Sequence, residues 1–236
     1  MGIHETGSGN PPALSVVIPV WNEASGLALL CSTLRSQLAD TDCSIELIFV
    51  DGGSADGSAD AIAAQGFPCL HSGRGRAKQM NLGAAAATAN YLLFLHADSE
   101  LPDAAFNSVI SALDAQPWGR FDVRISGDAK MFIIIAFFIN WRSRLSGIAT
   151  GDQGIFVRRK VFDAVGGFLD QALMEDVALS AALRKLSAPV CLRSKITTSG
   201  RRWQRRGIWR TILLMWRLRF MYWLGASPQS LAKRYE

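Results

Sequence analysis

The stretch Tyr91-Leu-Leu-Phe-Leu-His-Ala-Asp-Ser-Glu-Leu-Pro-Asp103 decides how the chain is read. Tyr91 to Leu95 is an unbroken apolar run, closed by a polar cluster and Pro102. A run this short predicts a fully buried strand. Central strands of a parallel sheet are covered on both faces, so the run need not alternate. Such a strand ends at His96-Ala97-Asp98 and delivers a carboxylate to the edge where open α/β sheets bind ligands. Asp98-Ser99 also reads as the cap of a helix beginning after Pro102.

The flanking segments extend the pattern. Upstream, Leu14–Val20 is a β-branched strand with Pro19 near its end, where a missing ladder donor is tolerated. Leu27, Leu30, Leu34 and Leu38 mark a helix from Ala24, and Ile45–Val50 is a second strand ending in Asp51-Gly52-Gly53-Ser54. A helix from Ser58 to Gln65, a short strand at Phe67–His71 and an Ala-rich helix from Lys78 to Ala89 follow. This alternation predicts right-handed βαβ units and an α/β fold with a mostly parallel sheet flanked by helices. Downstream, helices are expected at 102–113, 159–165, 174–186 and 208–224, and strands at 121–126, 154–157 and 189–192. Met131–Trp141 is apolar for 11 residues. A bilayer span needs about 20, so a buried or interfacial helix is expected there.

The 236 residues suit one domain with a C-terminal appendage: a flexible leader at 1–12, the main domain at 13–200 and a basic, aromatic helix within 201–236. Residues 201–236 hold nine Lys+Arg against Glu236, a net of +8, so the first 200 residues carry −3 of the total +5. That asymmetry excludes a whole-surface nucleic-acid binder and points to a local anionic partner. Cys31, Cys43, Cys69 and Cys191 show neither metal-knuckle nor disulfide-framework spacing, which suits reduced thiols in the cytoplasm.

Three strand ends present polar clusters: Asn22-Glu23, Asp51-Gly-Gly-Ser54 and His96-Ala97-Asp98. Strand ends of one parallel sheet share an edge, so Glu23, Asp51 and Asp98 are expected to converge. Converging carboxylates repel unless a divalent cation or a donor-rich ligand lies among them. Asp51-Gly-Gly-Ser alone is also explained as a tight turn with a helix cap. Gly73-Arg-Gly-Arg-Ala-Lys78 places three cations at a helix start, against the helix dipole, a cost that a bound phosphate reverses. A solvated basic loop is the plainer alternative.

In order, VVIPVWNE, VDGGSADGS, GRAKQMNLGA, LFLHADS and MEDVALSAALR resemble the family-2 glycosyltransferases of GT-A fold, over roughly Leu14 to Leu186. Gly151-Asp152-Gln153-Gly154 and Val165-Gly-Gly-Phe168 are similar to a bacterial subgroup of that family. The resemblance implies an inverting transfer from a nucleotide-diphosphate sugar, UDP-linked by preference, to a hydroxyl acceptor. It implies that Pro19, Asn22 and Glu23 line the nucleotide pocket, that Asp51 accepts hydrogen bonds from the base, and that Arg76 and Lys78 lie near the base or diphosphate. Asp98 matches the last acid of the family's metal-binding motif and implies Mg²⁺ or Mn²⁺, although His96 replaces the motif's first acid. His96 is then a ligand, a nucleotide contact or a supporting group, with Ala97 beside it. Asp176 would be the general base, with Glu175 beside it in a distinct role. Gly151, Asp152, Gln153, Arg201 and Arg202 fall in the acceptor or diphosphate region.

Four of the seven tryptophans lie in 203–223, interleaved with arginine. That composition suits a membrane-interfacial helix, and hence a lipid-linked acceptor at the inner face of the membrane. It equally suits a helix buried on its own domain or in a homodimer. A nucleotidyltransferase on a related fold and a non-catalytic, membrane-associated nucleotide-binding protein are the other readings of the same motifs.

Overall fold

Every residue of β1 (Leu14–Val20) is buried. Alternate side chains of a strand point to opposite faces, and β1 builds a core on each. Leu14, Val16, Ile18 and Val20 meet Leu27, Leu30, Cys31 and Leu34 of α1 (Ala24–Ala39) and Phe106, Val109 and Leu113 of α4 (Ala105–Ala115). Val17 faces the other way, with Leu92 and Phe94, towards Met80 and Ala84 of α3 (Arg76–Ala86) and Leu179 and Leu183 of α7 (Glu175–Arg184). Each such side chain contributes about 1.5–3 kcal/mol when fully buried.

The computed structural model describes residues 11–235, apart from the Arg202 and Arg205 side chains, so most of the expected leader and the Arg202 assignment lie outside the described residues. The described residues form one eight-stranded sheet in the order β3-β2-β1-β4-β7-β6-β8-β5. Its parallel half consists of β3 (Cys69–His71), β2 (Ile45–Asp51), β1 and β4 (Tyr91–Phe94). Their carboxyl ends therefore share one edge, as expected. Direction reverses at β7 (Ile155–Arg158), which is antiparallel to both β4 and β6 (Trp118–Ser126). β8 (Val190–Ser199) is parallel to β6 across an irregularity at Phe121/Asp122, and β5 (Ser99–Glu100) is antiparallel to β8.

Several boundaries differ from the sequence expectation. β8 runs to Ser199 rather than Leu192, because pairing with β6 and β5 carries the strand through polar residues that interrupt its apolar run. The helix expected at 131–141 is α5 (Met131–Ser146). The basic tail forms α8 (Arg201–Arg206), α9 (Ile208–Trp223) and α10 (Pro228–Tyr235), of which α10 had no apolar pattern to announce it. The remaining helices are α2 (Ser58–Ala64) and α6 (Arg159–Ala164). Among the described residues no helix is long and apolar enough to cross a membrane.

Candidate active site

The first loop after the sheet edge follows β1. Asn22 takes a left-handed conformation at φ 54°, its N–H donating to Ser54 Oγ and its side-chain oxygen accepting from Ala55 N–H. Glu23 N–H donates to Ser58 Oγ, so the loops after β1 and β2 are tied together. Asp51, the last residue of β2, is buried and accepts from Gly53 and Ser54 N–H through Oδ2, while its Oδ1 has no partner. Gln79 of α3 donates to both Val20 O, at 2.7 Å, and Val50 O, at 2.8 Å, and so pins the helix to the ends of two strands.

These loops line a cavity of about 700 Å³ that contains Pro19, Asn22, Glu23, Arg76, His96, Ala97, Asp98 and Glu175. A neighbouring one of about 390 Å³ shares Glu23, Arg76, His96 and Asp98 and adds Asp152 and Arg201. Burial, then the charge of Asp98, holds the Glu23 carboxyl above its ordinary pKa. Arg201 lies 3.7 Å from Glu23. The strand-end acids Glu23 and Asp98 thus converge as the sequence implied, whereas Asp51 sits at the same edge behind its own turn.

Asp176 arrives on α7, which packs on the same face of the sheet as α3. Met174 at φ 66° starts α7 abruptly and puts Glu175 and Asp176 in its first turn, where the helix dipole favours carboxylates. Asp176 accepts from Gly151 N–H at 2.7 Å and from Val177 N–H at 2.7 Å. Gly151 opens the 3₁₀ turn Gly151–Gln153 and lies flat against His96: a Cβ there would sit 2.5 Å from the imidazole and 3.7 Å from Asp176 Oδ2. His96 Nδ1 is 3.4 Å from Asp152 Oδ1. Glu175 is buried at 5% exposure, and burial followed by repulsion from Asp176 raises its pKa. Arg76 stands 4.0 Å from Glu175. The Arg76 side chain is half exposed at the cleft; partial desolvation there acts to lower its pKa, but Glu175, Asp152, Asp176 and Asp98 together more than offset it. One guanidinium is therefore the electrostatic centre of four carboxylates.

Two expected residues go elsewhere. Lys78 is paired with Asp170 at 3.8 Å on the surface. Gln153 is fully buried, and its Oε1 closes a capping box by accepting from Thr150 N–H, so it shapes the turn that carries Gly151 and Asp152.

The family model for glycosyl transferase family 2 matches residues 15–166, well over half of the chain. The chain belongs to that family.

Among solved structures, it resembles a mannosyltransferase of Pyrobaculum calidifontis in complex with GDP-Man and Mn²⁺, at TM-score 0.57 and 18% identity, covering 80% of this chain and 57% of that one. A glucosyl-3-phosphoglycerate synthase of Mycobacterium tuberculosis with Mn²⁺, UDP and glucosyl-3-phosphoglycerate matches at TM-score 0.57 and 16% identity over 79% and 71%. S. aureus TarS with UDP matches at TM-score 0.59 and 14% identity over 79% and 60%. The chain thus spans about 57–71% of the length of these structures. The shared fold is GT-A, as the motifs implied. No curated protein matches the sequence significantly.

The divalent cation implied by the family-2 resemblance can be tested against these side chains. Among the described residues, no three His, Cys, Asp or Glu groups gather closely enough to enclose an ion by themselves. Mg²⁺ is commonly held by one or two carboxylates with substrate phosphates completing the shell. An exposed Asp98 beside an arginine-lined cavity fits that shared arrangement.

Several site residues carried no assignment from sequence. Trp21 and Arg74 stack at 4.1 Å at the cavity mouth, and Gln79, Leu173, Arg206 and Tyr235 also line it. Arg74 stood in a legible basic loop. Arg206 and Tyr235 had no local signal, because only the return of α8 and α10 brings them across the cleft.

Proposed function

We propose that this family-2 chain transfers a sugar from a nucleoside-diphosphate sugar, UDP-linked by preference, to a hydroxyl acceptor with inversion at the anomeric carbon. The supporting observation is that Asp176, fixed by Gly151 N–H, acts through its charge on Arg76, which lines the same cavity as Asp98. In this reading the acceptor oxygen attacks the anomeric carbon as its proton passes to Asp176, and the bond to the diphosphate breaks with its electron pair leaving on phosphate oxygen. Arg76 and, from the mouth, Arg74 draw in the diphosphate. Asp51 keeps a free acceptor oxygen for the base. Asp98 would hold Mg²⁺ or Mn²⁺, which would supply positive charge to offset that of the diphosphate leaving group. Glu175 holds Arg76 in place rather than taking the proton.

A peripheral membrane position, with a lipid-borne acceptor at the cytoplasmic face, belongs to the same proposal. It is supported by Trp209, Leu213, Trp216, Phe220 and Trp223, which form one exposed stripe along α9, with the three tryptophans 67%, 70% and 78% exposed. Ile133, Phe137 and Trp141 of α5 are exposed as well. Arg206, Arg210 and Arg217 border the α9 stripe around a basic hollow of about 470 Å³, the pairing of apolar and cationic surface that anionic membranes attract.

The test is a thermal-shift panel of nucleoside diphosphates with and without Mn²⁺ or Mg²⁺, followed by product analysis. UDP with Mn²⁺ should raise the melting temperature, since a ligand of the native state stabilises it, and turnover should release UDP. No shift with any nucleotide, or release of pyrophosphate, would overturn the proposal.

A further inference from the structure

α5 and α9 meet through an aliphatic seam that includes Ile135 on one and Ile208 and Ile212 on the other. Two turns further along the same faces, at seven-residue spacing, Ile135 is followed by Arg142 and Ile212 by Arg219. Both faces therefore continue into an arginine. Burial, and next the charge of Arg219, push the Arg142 pKa down to about 10. Burial likewise lowers Arg219.

Buried charges are ordinarily paired. Here Arg142 Nε and Nη2 and Arg219 Nε are buried with no hydrogen-bond partner. Among the described residues, neither side chain forms an ion pair. Nε and Nη2 make up the side edge of a guanidinium, which grips a carboxylate or phosphate through two parallel hydrogen bonds. Leu218, next to Arg219, packs with Met174 and Val177 at the start of α7. Asp176 is the acid whose charge acts on both arginines. Neither arginine lines the donor cavity, which has its own cations in Arg74, Arg76 and Arg206.

We propose that Arg142 and Arg219 form an oxyanion site for the acceptor, so that the hydroxyl substrate carries a phosphate or carboxylate held between α5 and α9 with its hydroxyl at Asp176. This deepens the transferase reading and rests on it for the role of Asp176. The anion supplies the acceptor atoms that both guanidinium groups lack and relieves their mutual repulsion. Either a soluble phosphomonoester or a lipid phosphate presents this chemistry.

The experiment compares the full chain with Arg142→Gln and Arg219→Gln by thermal shift and calorimetry. The probes are inorganic phosphate, glycerol 3-phosphate, and phosphatidylcholine vesicles doped with phosphatidic acid. Wild type should bind phosphate or glycerol 3-phosphate, and each variant should bind about tenfold or more weakly. Each variant without anion should melt at or above the wild-type temperature, because a repelling buried charge is gone; an arginine that merely supports the fold would lower it. The UDP–Mn²⁺ shift should survive in both variants. A vesicle response sensitive to both substitutions, with no response to glycerol 3-phosphate, assigns the lipid source; the converse assigns the soluble one. Anion responses unchanged in both variants, or no response to any probe, overturn the site. Absence of the UDP–Mn²⁺ shift in wild type instead strikes the donor reading, with the anion comparison still standing.

Discussion

Gly151→Ala is the sharpest test of how the site is assembled. The added Cβ would lie 2.5 Å from His96 Cε1 and Nε2. An ordinary carbon contact is about 3.5 Å, so roughly 1 Å of movement is required. His96 has little room to retreat, being 8% exposed with Asp152 3.4 Å from its Nδ1. If the turn moves instead, the 2.7 Å bond from Gly151 N–H to Asp176 stretches beyond hydrogen-bonding distance. Overpacking of this kind costs about 1–3 kcal/mol, or about 2–12 °C of melting temperature for a domain of this size. A misplacement of about 1 Å at a reacting group costs about 10²-fold in rate. Steady-state release of UDP should show kcat down by about that factor, and a melt should show the stability loss. A variant with kcat within about threefold of wild type and an unchanged melting temperature would refute the argument that Gly151 sets the Asp176–His96 spacing.

Four further outcomes are expected. Asp98→Ala should lose the Mn²⁺-dependent part of the UDP thermal shift, whereas Asp176→Ala should keep it and lose about 10²–10⁴-fold in turnover; equal loss of the shift in both would undo the role assignment. Glu175→Gln should change the pH dependence of stability. The folded pKa of Glu175 is raised by burial and then by Asp176, so its contribution is complete below the unfolded value of about 4.3 and lost as pH rises through the folded value. The variant should therefore gain on wild type as the pH of urea titrations is raised from about 4, and a difference flat with pH contradicts this. Gly83→Ala would put a Cβ 2.3 Å from Val17 Cγ1, between α3 and β1; overpacking exceeds the helix-propensity gain, and denaturation should show a net loss of about 1–2 kcal/mol, with no loss counting against the close approach. Replacing Trp209, Trp216 and Trp223 together by Ser should reduce co-sedimentation with phosphatidylglycerol vesicles while leaving the UDP response intact; undiminished sedimentation removes the stripe from the membrane proposal.

Sequence alone determined the parallel half of the sheet and the family. Those features rest on short-range patterns: apolar runs such as Leu14–Val20 and Tyr91–Leu95 bury both faces of central strands, and each run stops at polar residues that must therefore stand at one edge. It could not reveal that Lys78 turns to Asp170, that Gln153 closes a cap or that β8 continues through polar residues, since those outcomes depend on partners distant in the chain. Tertiary structure alone set Gly151 between His96 and Asp176, put Arg206 and Tyr235 in the lining of the cleft at the sheet edge, and brought the charge of Arg219 to bear on Arg142. Local pattern records which face of an element is apolar. Which charges meet across two elements is fixed only when those faces pack.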